Sequence, residues 1–312
     1  MRRRDALSML AAGWVGAPPP AAAAADARDA SGAARLEALD VELPRDESVA
    51  GFVRGRAATA PLARLLVPGA LPAARAPVLV LLHGLGETHD RRLALRAWSE
   101  LYGLARAHAR LATPPVTRTE PRRRWLDDER LARINRRLAH RPFRGVVLAC
   151  PVTPNPWRAP TERLLDAYSA WLVDALLPAV RERVPATRGG PVGLDGCSMG
   201  GFVAPEVWLR RAHAFSTLGV VQAALHAPGA ARLAERIAAT VDRSGPVGLH
   251  VETSSDDPYR VGNEELARQL HARGLPCRLT VPAGPHDQPW LREVGSIELL
   301  LWHEGQLHGR RG

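Results

Sequence analysis

A serine between glycines is the residue of this sequence best placed for nucleophilic chemistry. Ser198 lies at the centre of the segment Gly196–Gly200, whose sequence GCSMG matches the pattern G-x-S-x-G. An apolar run at 191–195 precedes this segment and a helical pattern follows it. These flanks predict a sharp strand-to-helix turn, in which the small glycines allow close packing and the hydroxyl is exposed at the tip. We therefore predict that Ser198 is a nucleophile.

Two loops further along the chain carry the residue types that activate a serine hydroxyl. His286 follows an apolar segment at 278–281, and two aspartates, Asp256 and Asp257, follow another at 247–253. The order serine, acid, histidine is one in which such residues occur on a sheet of this kind. A carboxylate beside the imidazole fixes its tautomer and stabilises its protonated form. We predict that His286 is the base and Asp257 the acid, with Asp256 as the alternative acid.

The loop after another apolar run supplies candidate donors for a developing negative charge. His83–Gly86, with the sequence HGLG, directly follows the run at 78–82. Where a serine stands on a strand-to-helix turn, one N–H donor comes from such a loop and another from the residue after the nucleophile. We predict that the backbone N–H groups of Leu85 and Met199 form an oxyanion hole. We expect His83 to support this loop rather than to act in catalysis.

The elements that must position these residues alternate between strands and helices. With 312 residues, 46% of them hydrophobic, the chain can bury one sizeable core. Short apolar runs without alternation indicate strands buried on both faces, and the segments between them have helical periodicity. This order predicts an α/β fold with a mostly parallel central sheet and helices on both faces. The predicted strands are 63–68, 78–82, 145–150, 191–195, 218–223, 247–253 and 278–281. The predicted helices are 91–111, 162–184, 230–241, 263–273 and 290–303, together with one that follows the segment 196–201 and runs to about 212.

The first residues have the composition of an export signal. Residues 1–27 begin with arginines, continue with an apolar run at 6–17 that is too short to span a bilayer, and end with small residues suited to cleavage. Arg3 and Arg4 resemble the pair of a twin-arginine signal, and an ordinary secretory signal is the alternative. The mature protein is expected to be periplasmic or secreted, without a membrane span.

The positive charge of the chain is unevenly distributed. The formal net charge is +10, and all 42 basic residues are arginine. Ten of these arginines lie between 118 and 144, against four acidic residues. Nucleic-acid binding would require a recognised fold or interleaved aromatic residues, so no nucleic-acid partner is expected. The segment is predicted to be a solvated basic face, with a weak contact to an anionic surface as the alternative.

Other site chemistries have little support in the sequence. The three cysteines, Cys150, Cys197 and Cys277, are widely spaced and are predicted to be buried free thiols. No metal-ligand spacing and no nucleotide-binding motif is present, so no metal or cofactor is expected. The predicted organisation is a leader at 1–27, a linker with a possible edge strand at 28–60, a catalytic domain at 61–306 that contains an arginine-rich excursion at 113–142, and a tail at 307–312.

Four segments together resemble one family, the α/β-hydrolase esterases that include esterase D, feruloyl esterases and mycolyltransferases. The resemblance spans roughly 61–306 and implies a serine esterase without a cofactor, its triad falling on Ser198, Asp257 and His286. The short segment between Leu225 and Pro246 leaves room for a small lid or none. The segments are LLHGLGE at 81–87, GLDGCSMGGF at 193–202, SSDDPYRVGN at 254–263 and AGPHD at 283–287.

These residues predict a carboxylic-ester hydrolase that works through an acyl-enzyme on a small-molecule, carbohydrate or lipid ester. Acyl transfer to an alcohol by the same triad is the nearest alternative, and a catalytically silent surface-binding protein is a more distant one. Trp157, His226 and Trp290 are candidate walls of the substrate pocket. The acyl and alcohol specificity and the oligomeric state are not predicted.

Overall fold

The described part of the chain begins after the predicted leader. The structure, a computed structural model, describes residues 35–120, 122–158 and 161–309. The export signal predicted at 1–27 and the beginning of the predicted linker therefore lie outside the described residues.

An eight-stranded sheet forms the centre of the structure. Its strands lie in the order β1-β2-β4-β3-β5-β6-β7-β8. The six neighbouring strands β4, β3, β5, β6, β7 and β8 are parallel to one another. At the other edge of the sheet, β1 is antiparallel to β2, and β2 is antiparallel to β4. The mostly parallel sheet was predicted from the alternation of strands and helices and is confirmed. The strands are β1 (Leu36–Pro44), β2 (Thr59–Pro68), β3 (Val78–Leu82), β4 (Val147–Pro151), β5 (Val192–Gly196), β6 (Thr217–Val221), β7 (Gly248–Glu252) and β8 (Cys277–Thr280).

Helices cover both faces of this sheet, as predicted. Among them, α4 to α8 pack on one face, and α2, α3 and α10 pack on the other. The helices are α1 (Arg91–Arg96), α2 (Leu104–Ala112), α3 (Asp128–His140), α4 (Thr161–Trp171), α5 (Leu177–Arg183), α6 (Met199–Arg210), α7 (Ala227–Ser244), α8 (Arg260–Ala272), α9 (Gln288–Trp290) and α10 (Ser296–Gly309). Short π-helical segments lie at Ala97–Leu101, Leu172–Leu176 and Leu291–Gly295, and 3-10 turns at Ala50–Phe52, Pro185–Thr187 and Ala212–Ala214.

The apolar runs of the central strands divide between two hydrophobic cores. In β3, Val80 and Leu82 pack into the core on the α4–α8 side, whereas Leu79 and Leu81 pack into the core beneath α10. Successive side chains of a strand point to opposite faces, so a strand covered on both faces needs apolar residues at every position. This requirement explains why these strands read as continuous apolar runs.

Three boundaries differ from those predicted. The possible edge strand within 28–60 is the nine-residue strand Leu36–Pro44, and its partner β2 begins at Thr59, earlier than the predicted 63. The single helix predicted over 91–111 is interrupted at Gly103, which has a φ of +69°. The tail predicted from 307 was wrong, because the last helix extends to Gly309 and buries the side chain of Leu307.

The arginine-rich excursion is partly a packed element. Its helix α3 buries Ile134 and Leu138 in the core beneath α10. On the same side, Arg130 and Arg133 contact the buried carboxylate of Glu298, at 2.7 Å and 2.6 Å. The prediction of a solvated basic face was therefore wrong for this underside, where the arginines neutralise acids of α10.

The remaining arginines of the excursion face solvent. Arg122–Arg124, Arg136 and Arg141 are exposed, and none of them pairs with a carboxylate among the residues that the structure describes. The predicted basic face is therefore restricted to the outer surface of the excursion.

All three cysteines are buried and unpaired, as predicted. Burial raises the pKa of each thiol, that of Cys277 to about 12, so the reactive thiolate form is disfavoured. Within the described ranges, no helix combines the length and the apolar character that crossing a membrane would need.

Candidate active site

Ser198 stands on the turn that joins β5 to α6. Its backbone φ is +53°, a left-handed value that is unfavourable for a residue with a side chain. Neighbouring backbone holds it there, because the Ser198 N–H donates to Val221 O at 2.9 Å and Ala224 N–H donates to Ser198 O at 2.9 Å. The side chain is thereby directed away from both the strand and the helix, and the residue remains 7% exposed.

The glycines around Ser198 are required by close backbone approach. A Cβ on Gly196 would collide with Gly200 O, and one on Gly200 would collide with Leu82 O. A Cβ on Gly201 would lie 2.8 Å from the Cα of Ala223. Side chains at these positions would push α6 away from β3 and β6, so the G-x-S-x-G pattern reports the packing of the turn as well as its chemistry.

The predicted nucleophile, base and acid come together in one hydrogen-bonded chain. His286 Nε2 lies 3.1 Å from Ser198 Oγ, and His286 Nδ1 lies 2.9 Å from Asp257 Oδ1. Because the carboxylate can only accept, the neutral imidazole carries its proton on Nδ1 and accepts from the serine hydroxyl at Nε2. This is the tautomer that a base for Ser198 requires.

The two candidate acids have different surroundings. Asp257 is 6% exposed, and besides the imidazole it accepts hydrogen bonds from Thr253 Oγ1 at 2.6 Å and from the Tyr259 N–H at 2.9 Å. Asp256 is exposed, and its backbone N–H donates to Gly284 O. The structure therefore places Asp257, and not Asp256, against the imidazole.

The loop that carries His286 is held by a residue that sequence reasoning missed. Gln222 follows β6, is buried, and has a φ of +47°. Its side-chain amide donates to Pro285 O at 2.9 Å and to Ser254 Oγ at 2.6 Å, so it links the base loop to the acid loop. A single polar residue after an apolar strand gives no sequence signal for such a role.

The predicted oxyanion loop is fixed from below by His83. Thr153 N–H donates to His83 Nε2 at 2.8 Å, so the ring proton lies on Nδ1, which donates to Gly84 O at 2.8 Å. Burial lowers the pKa of His83 to about 4, so the ring is neutral at ordinary pH. Gly84 O and the Leu85 N–H belong to one trans peptide and point in opposite directions. With Gly84 O turned towards His83, the Leu85 N–H is turned away from it.

A second hydrogen-bonded chain holds the other side of the same loop. Gly84 N–H donates to the Tyr102 hydroxyl at 3.0 Å, and that hydroxyl donates to Glu87 Oε2 at 2.7 Å. Gln288, two residues after His286, completes the chain by donating to Glu87 Oε1 at 3.4 Å. Burial raises the pKa of the Glu87 carboxyl. Tyr102 and Glu87 were not predicted, because their role depends on a contact between separate elements.

The two predicted oxyanion donors lie beside the serine. An added Cβ on Gly84 would lie 3.7 Å from the Cβ of Ser198, and Met199 is the first residue of α6. For the part of the chain that the structure describes, neither Leu85 N–H nor Met199 N–H has a hydrogen-bond acceptor. The helix N-terminus adds partial positive charge at the same place. The site can thus accept a negative oxygen next to Ser198.

The three predicted pocket residues have different positions. Trp157 is 38% exposed, and its ring is tilted by 33° relative to that of Phe202, one turn after Ser198, with ring centroids 5.8 Å apart. His226 is exposed and lies 5.7 Å from the ring of Tyr259, which itself lies 5.6 Å from His286. His226 therefore borders the site through the ring of Tyr259, whereas the ring contact of Trp157 is with Phe202.

The prediction of Trp290 as a pocket wall was wrong. Its side chain is fully buried, and its Nε1–H donates to Ala283 O at 3.0 Å. An added Cβ on Gly284 would collide with this indole, so Trp290 packs beneath the loop of His286. Its contribution is to the position of that loop.

Metal-ligating side chains do not cluster at the site. No group of three or more histidine, cysteine, aspartate or glutamate residues could hold a metal ion within residues 35–120, 122–158 and 161–309. The groups that the site does present are a hydroxyl, an imidazole and a carboxylate in contact, beside two N–H groups. This set can perform nucleophilic acyl chemistry with protein groups alone.

A mostly parallel sheet with a serine turn after β5, an acid after β7 and a histidine after β8 is the α/β-hydrolase fold. No protein-family model matches the sequence, and the search of curated proteins finds no significant match. Solved structures do match over most of their length. One of them is a ferulic acid esterase, with a TM-score of 0.57 and 16% identity, and the match covers 86% of this chain and 98% of the other.

Two further examples of matching structures are also hydrolases by their descriptions. A feruloyl esterase module from Clostridium thermocellum has a TM-score of 0.57 and 12% identity, with 89% of this chain and 92% of the other covered. An S-formylglutathione hydrolase from Staphylococcus aureus has a TM-score of 0.54 and 11% identity, with 86% and 98% covered. At these identities the similarity establishes the α/β-hydrolase fold, which confirms the predicted fold class.

Proposed function

We propose that the protein is a serine carboxylic-ester hydrolase, with Ser198 as nucleophile, His286 as general base and Asp257 as the orienting acid. The observation that carries the proposal is the continuous chain from Ser198 Oγ to His286 Nε2, at 3.1 Å, and from His286 Nδ1 to Asp257, at 2.9 Å. The esterases and hydrolases with the same fold support the reaction class.

Acylation begins at the serine hydroxyl. As Ser198 Oγ attacks the carbonyl carbon of the ester, its proton moves to His286 Nε2. The carbonyl oxygen becomes an oxyanion and accepts hydrogen bonds from the N–H groups of Leu85 and Met199. When the tetrahedral intermediate collapses, the bond to the alcohol oxygen breaks and His286 gives its proton to that oxygen. The alcohol leaves, and the acyl group remains on Ser198.

Deacylation repeats these steps with water. His286 Nε2 removes a proton from a water molecule, whose oxygen attacks the acyl carbon under the same two donors. Collapse of the second intermediate returns the proton to Ser198 Oγ and releases the carboxylic acid. Asp257 accepts from Nδ1 throughout, so the imidazolium is stabilised in both half-reactions.

Labelling of the nucleophile tests the proposal. A fluorophosphonate probe should modify the wild type at Ser198, and Ser198→Ala should abolish both labelling and hydrolysis of para-nitrophenyl butyrate, a loss of roughly 10³-fold or more in kcat. Ser244→Ala is the matched control, since Ser244 is exposed at the far end of α7. Unchanged hydrolysis in a folded Ser198→Ala variant would refute the proposal. Product analysis with an added alcohol acceptor distinguishes hydrolysis from acyl transfer.

A further inference from the structure

Three consecutive arginines form an unpaired positive edge that the proposed reaction does not use. Arg122, Arg123 and Arg124, called here the arginine rim, are exposed and pair with no carboxylate in the described structure. Residues on the two sides of the rim are linked, because Arg118 Nε–H donates to Leu126 O at 2.6 Å. The rim is therefore carried on a turn whose ends this hydrogen bond joins.

This turn lies against the loop of the proposed base. The Arg123 guanidinium lies 4.8 Å from the ring centroid of Trp125. An added Cβ on Gly284 would lie 3.0 Å from Trp125 Cδ1, so the indole touches the loop two residues before His286. Two residues span at most about 7 Å of extended chain. The arginine rim is thus adjacent to the His286 side of the site.

The chemistry of the reaction determines which part of a substrate faces this side. His286 must deliver its proton to the oxygen of the leaving alcohol, so that oxygen lies next to the imidazole when the intermediate collapses. Groups attached to the alcohol therefore extend past the loop of His286, which Trp125 contacts at Gly284. The need to protonate the leaving alcohol does not place the acyl group on the His286 side, because that group is held through the carbon bound to Ser198.

The rim also retains net charge after its neighbours are considered. The acidic residues near this edge are Glu120, on the same turn, Asp128, which Arg118 binds at 2.5 Å and which Arg124 approaches, Asp256, whose carboxylate is exposed, and Asp287, whose side chain accepts from Trp290 N–H. Arg106 and Arg292 add positive charge next to Glu120 and Asp287. Positive charge therefore exceeds negative charge at the edge that the alcohol part would meet.

Resting on the proposed ester hydrolysis, we propose that the arginine rim binds an anionic group on the alcohol part of the substrate. The substrate class is then an ester of an alcohol that carries a carboxylate, phosphate or sulfate. Guanidinium groups suit this task because they remain charged and present several donors in a planar fork.

A matched pair of esters measures this preference. Para-nitrophenyl butyrate has a neutral alcohol part, and its analogue with a carboxylate on the nitrophenyl ring, meta to the ester oxygen, has an anionic one. The readout is the ratio of kcat/KM for the anionic ester to kcat/KM for the neutral ester, in the wild type and in a variant with Arg122→Gln, Arg123→Gln and Arg124→Gln combined. We expect the ratio to fall about tenfold in this variant, and to fall in the wild type as salt is added.

A control variant separates the rim from the general charge of the protein. Arg136→Gln combined with Arg141→Gln removes two exposed arginines that pair with no carboxylate among the described residues. They lie at the opposite end of α3, where Arg141 donates to Gly305 O. This control should keep the wild-type ratio. Because the turn could be disturbed by removing the Arg123–Trp125 contact, Arg123→Lys serves as a second variant that keeps the charge and should retain most of the preference.

The outcomes distinguish this proposal from the proposed function. Hydrolysis of both esters with a ratio that the triple variant leaves unchanged would overturn the role of the rim and leave the esterase proposal intact. A ratio that falls equally in the control variant would also overturn it. So would a triple variant whose kcat/KM falls only for para-nitrophenyl hemisuccinate, an ester whose charge lies on the acyl part. If the wild type hydrolyses none of these esters, the proposed function fails first.

Discussion

Two adjacent aspartates follow β7, and their side chains have different surroundings. Asp257 is enclosed by Thr253, Tyr259 and His286, each of which places a donor against its carboxylate. Asp256 is exposed to solvent. A buried carboxylate that accepts three hydrogen bonds is held in one orientation, and it can therefore hold the imidazole in one orientation as well.

Substitution of the two aspartates by asparagine should have unequal effects. Asp257→Asn keeps the shape of the side chain but lets an amide face Nδ1, which favours the wrong imidazole tautomer. We expect kcat for para-nitrophenyl butyrate to fall by roughly 10³- to 10⁴-fold. Asp256→Asn, the matched control, should stay within about threefold of the wild type, since the exposed side chain does not contact His286. The reverse order of effects would assign the acid to Asp256.

At the residue scale, the site could be predicted only where chemistry fixes the residue type. Ser198, Asp257 and His286, which the structure brings into contact, could be selected from the sequence because a proposed nucleophile, acid and base must follow particular strands in order. Gln222 and Tyr102 were missed because amide and hydroxyl groups occur throughout the sequence, and only the folded chain brings them to the loops. The residue type of Trp290 likewise does not show its location, because a large aromatic ring can either line a pocket or pack beneath a loop.

Helices α3 and α10 are joined by a cluster of charges at an otherwise apolar contact. Glu298 of α10 is 2% exposed and faces Arg130 and Arg133 of α3, together with Arg278 of β8 at 3.5 Å. If the carboxylate were absent, the three positively charged arginines around it would repel one another. The carboxylate therefore holds the arginine-rich excursion on the body of the protein.

Removal of this charge should loosen the excursion. Glu298→Gln leaves Arg130 and Arg133 beside a neutral amide, and we expect the free energy of unfolding to fall by about 2 kcal/mol. Chemical denaturation followed by tryptophan fluorescence measures the change. Glu100→Gln is the control, because Glu100 pairs with Arg64 and Arg96 while 53% of its side chain is exposed, and it should have a much smaller effect. Equal effects in both variants would show that burial does not strengthen the cluster.

At the element scale, the buried strands could be predicted with approximate bounds, whereas the edge strand could be predicted only as a possibility within 28–60. The strand β1 has alternating exposure, and its polar outer residues resemble those of a linker. The break at Gly103 follows from a tertiary contact, because an added Cβ there would lie 2.7 Å from the side chain of Arg292. Neither the bounds of β1 nor the break at Gly103 has a local sequence pattern that distinguishes it from the surrounding residues.

The stability of the whole molecule should depend on pH through its buried histidines, of which His83 and His108 are two. Burial lowers the pKa of both His83 and His108 from the ordinary value of 6.5 to about 4. Between these values the unfolded chain binds protons that the folded chain does not. Stability is therefore greatest above the unfolded pKa and is lost as the pH falls from 6.5 towards about 4.

Replacement of His108 should remove one of these contributions. His108 is 1% exposed, and neither of its ring nitrogens has a hydrogen-bond partner among the described residues, so leucine can replace it without leaving a new unpaired group. From about pH 7 to about pH 5, His108→Leu should lose roughly 2 kcal/mol less of its unfolding free energy than the wild type. Denaturant titrations at the two pH values measure the difference. His213→Leu, at an exposed position, should keep the wild-type dependence, and a dependence on pH unchanged in His108→Leu would contradict the prediction.

At the scale of the whole molecule, the fold class could be predicted because it depends on the order of elements. Buried strands that alternate with helices permit few arrangements, and right-handed crossovers between parallel strands remove most of the others. The excursion could not be placed in this way, because it is an insertion between β3 and β4. Its position depends on the pairing of its arginines with Glu298 and Glu304 of the last helix, far along the chain.

The peptide between Gly84 and Leu85 is held on both sides by buried groups, His83 below its carbonyl and Tyr102 at the preceding N–H. Both contacts exist in the resting protein, before any ester is present. In the proposed reaction, the receptor for the negative oxygen is thus assembled by folding itself, and no part of the loop has to rearrange when a substrate arrives. The orientation of that amide is thus a property of the native state, set by the two buried side chains.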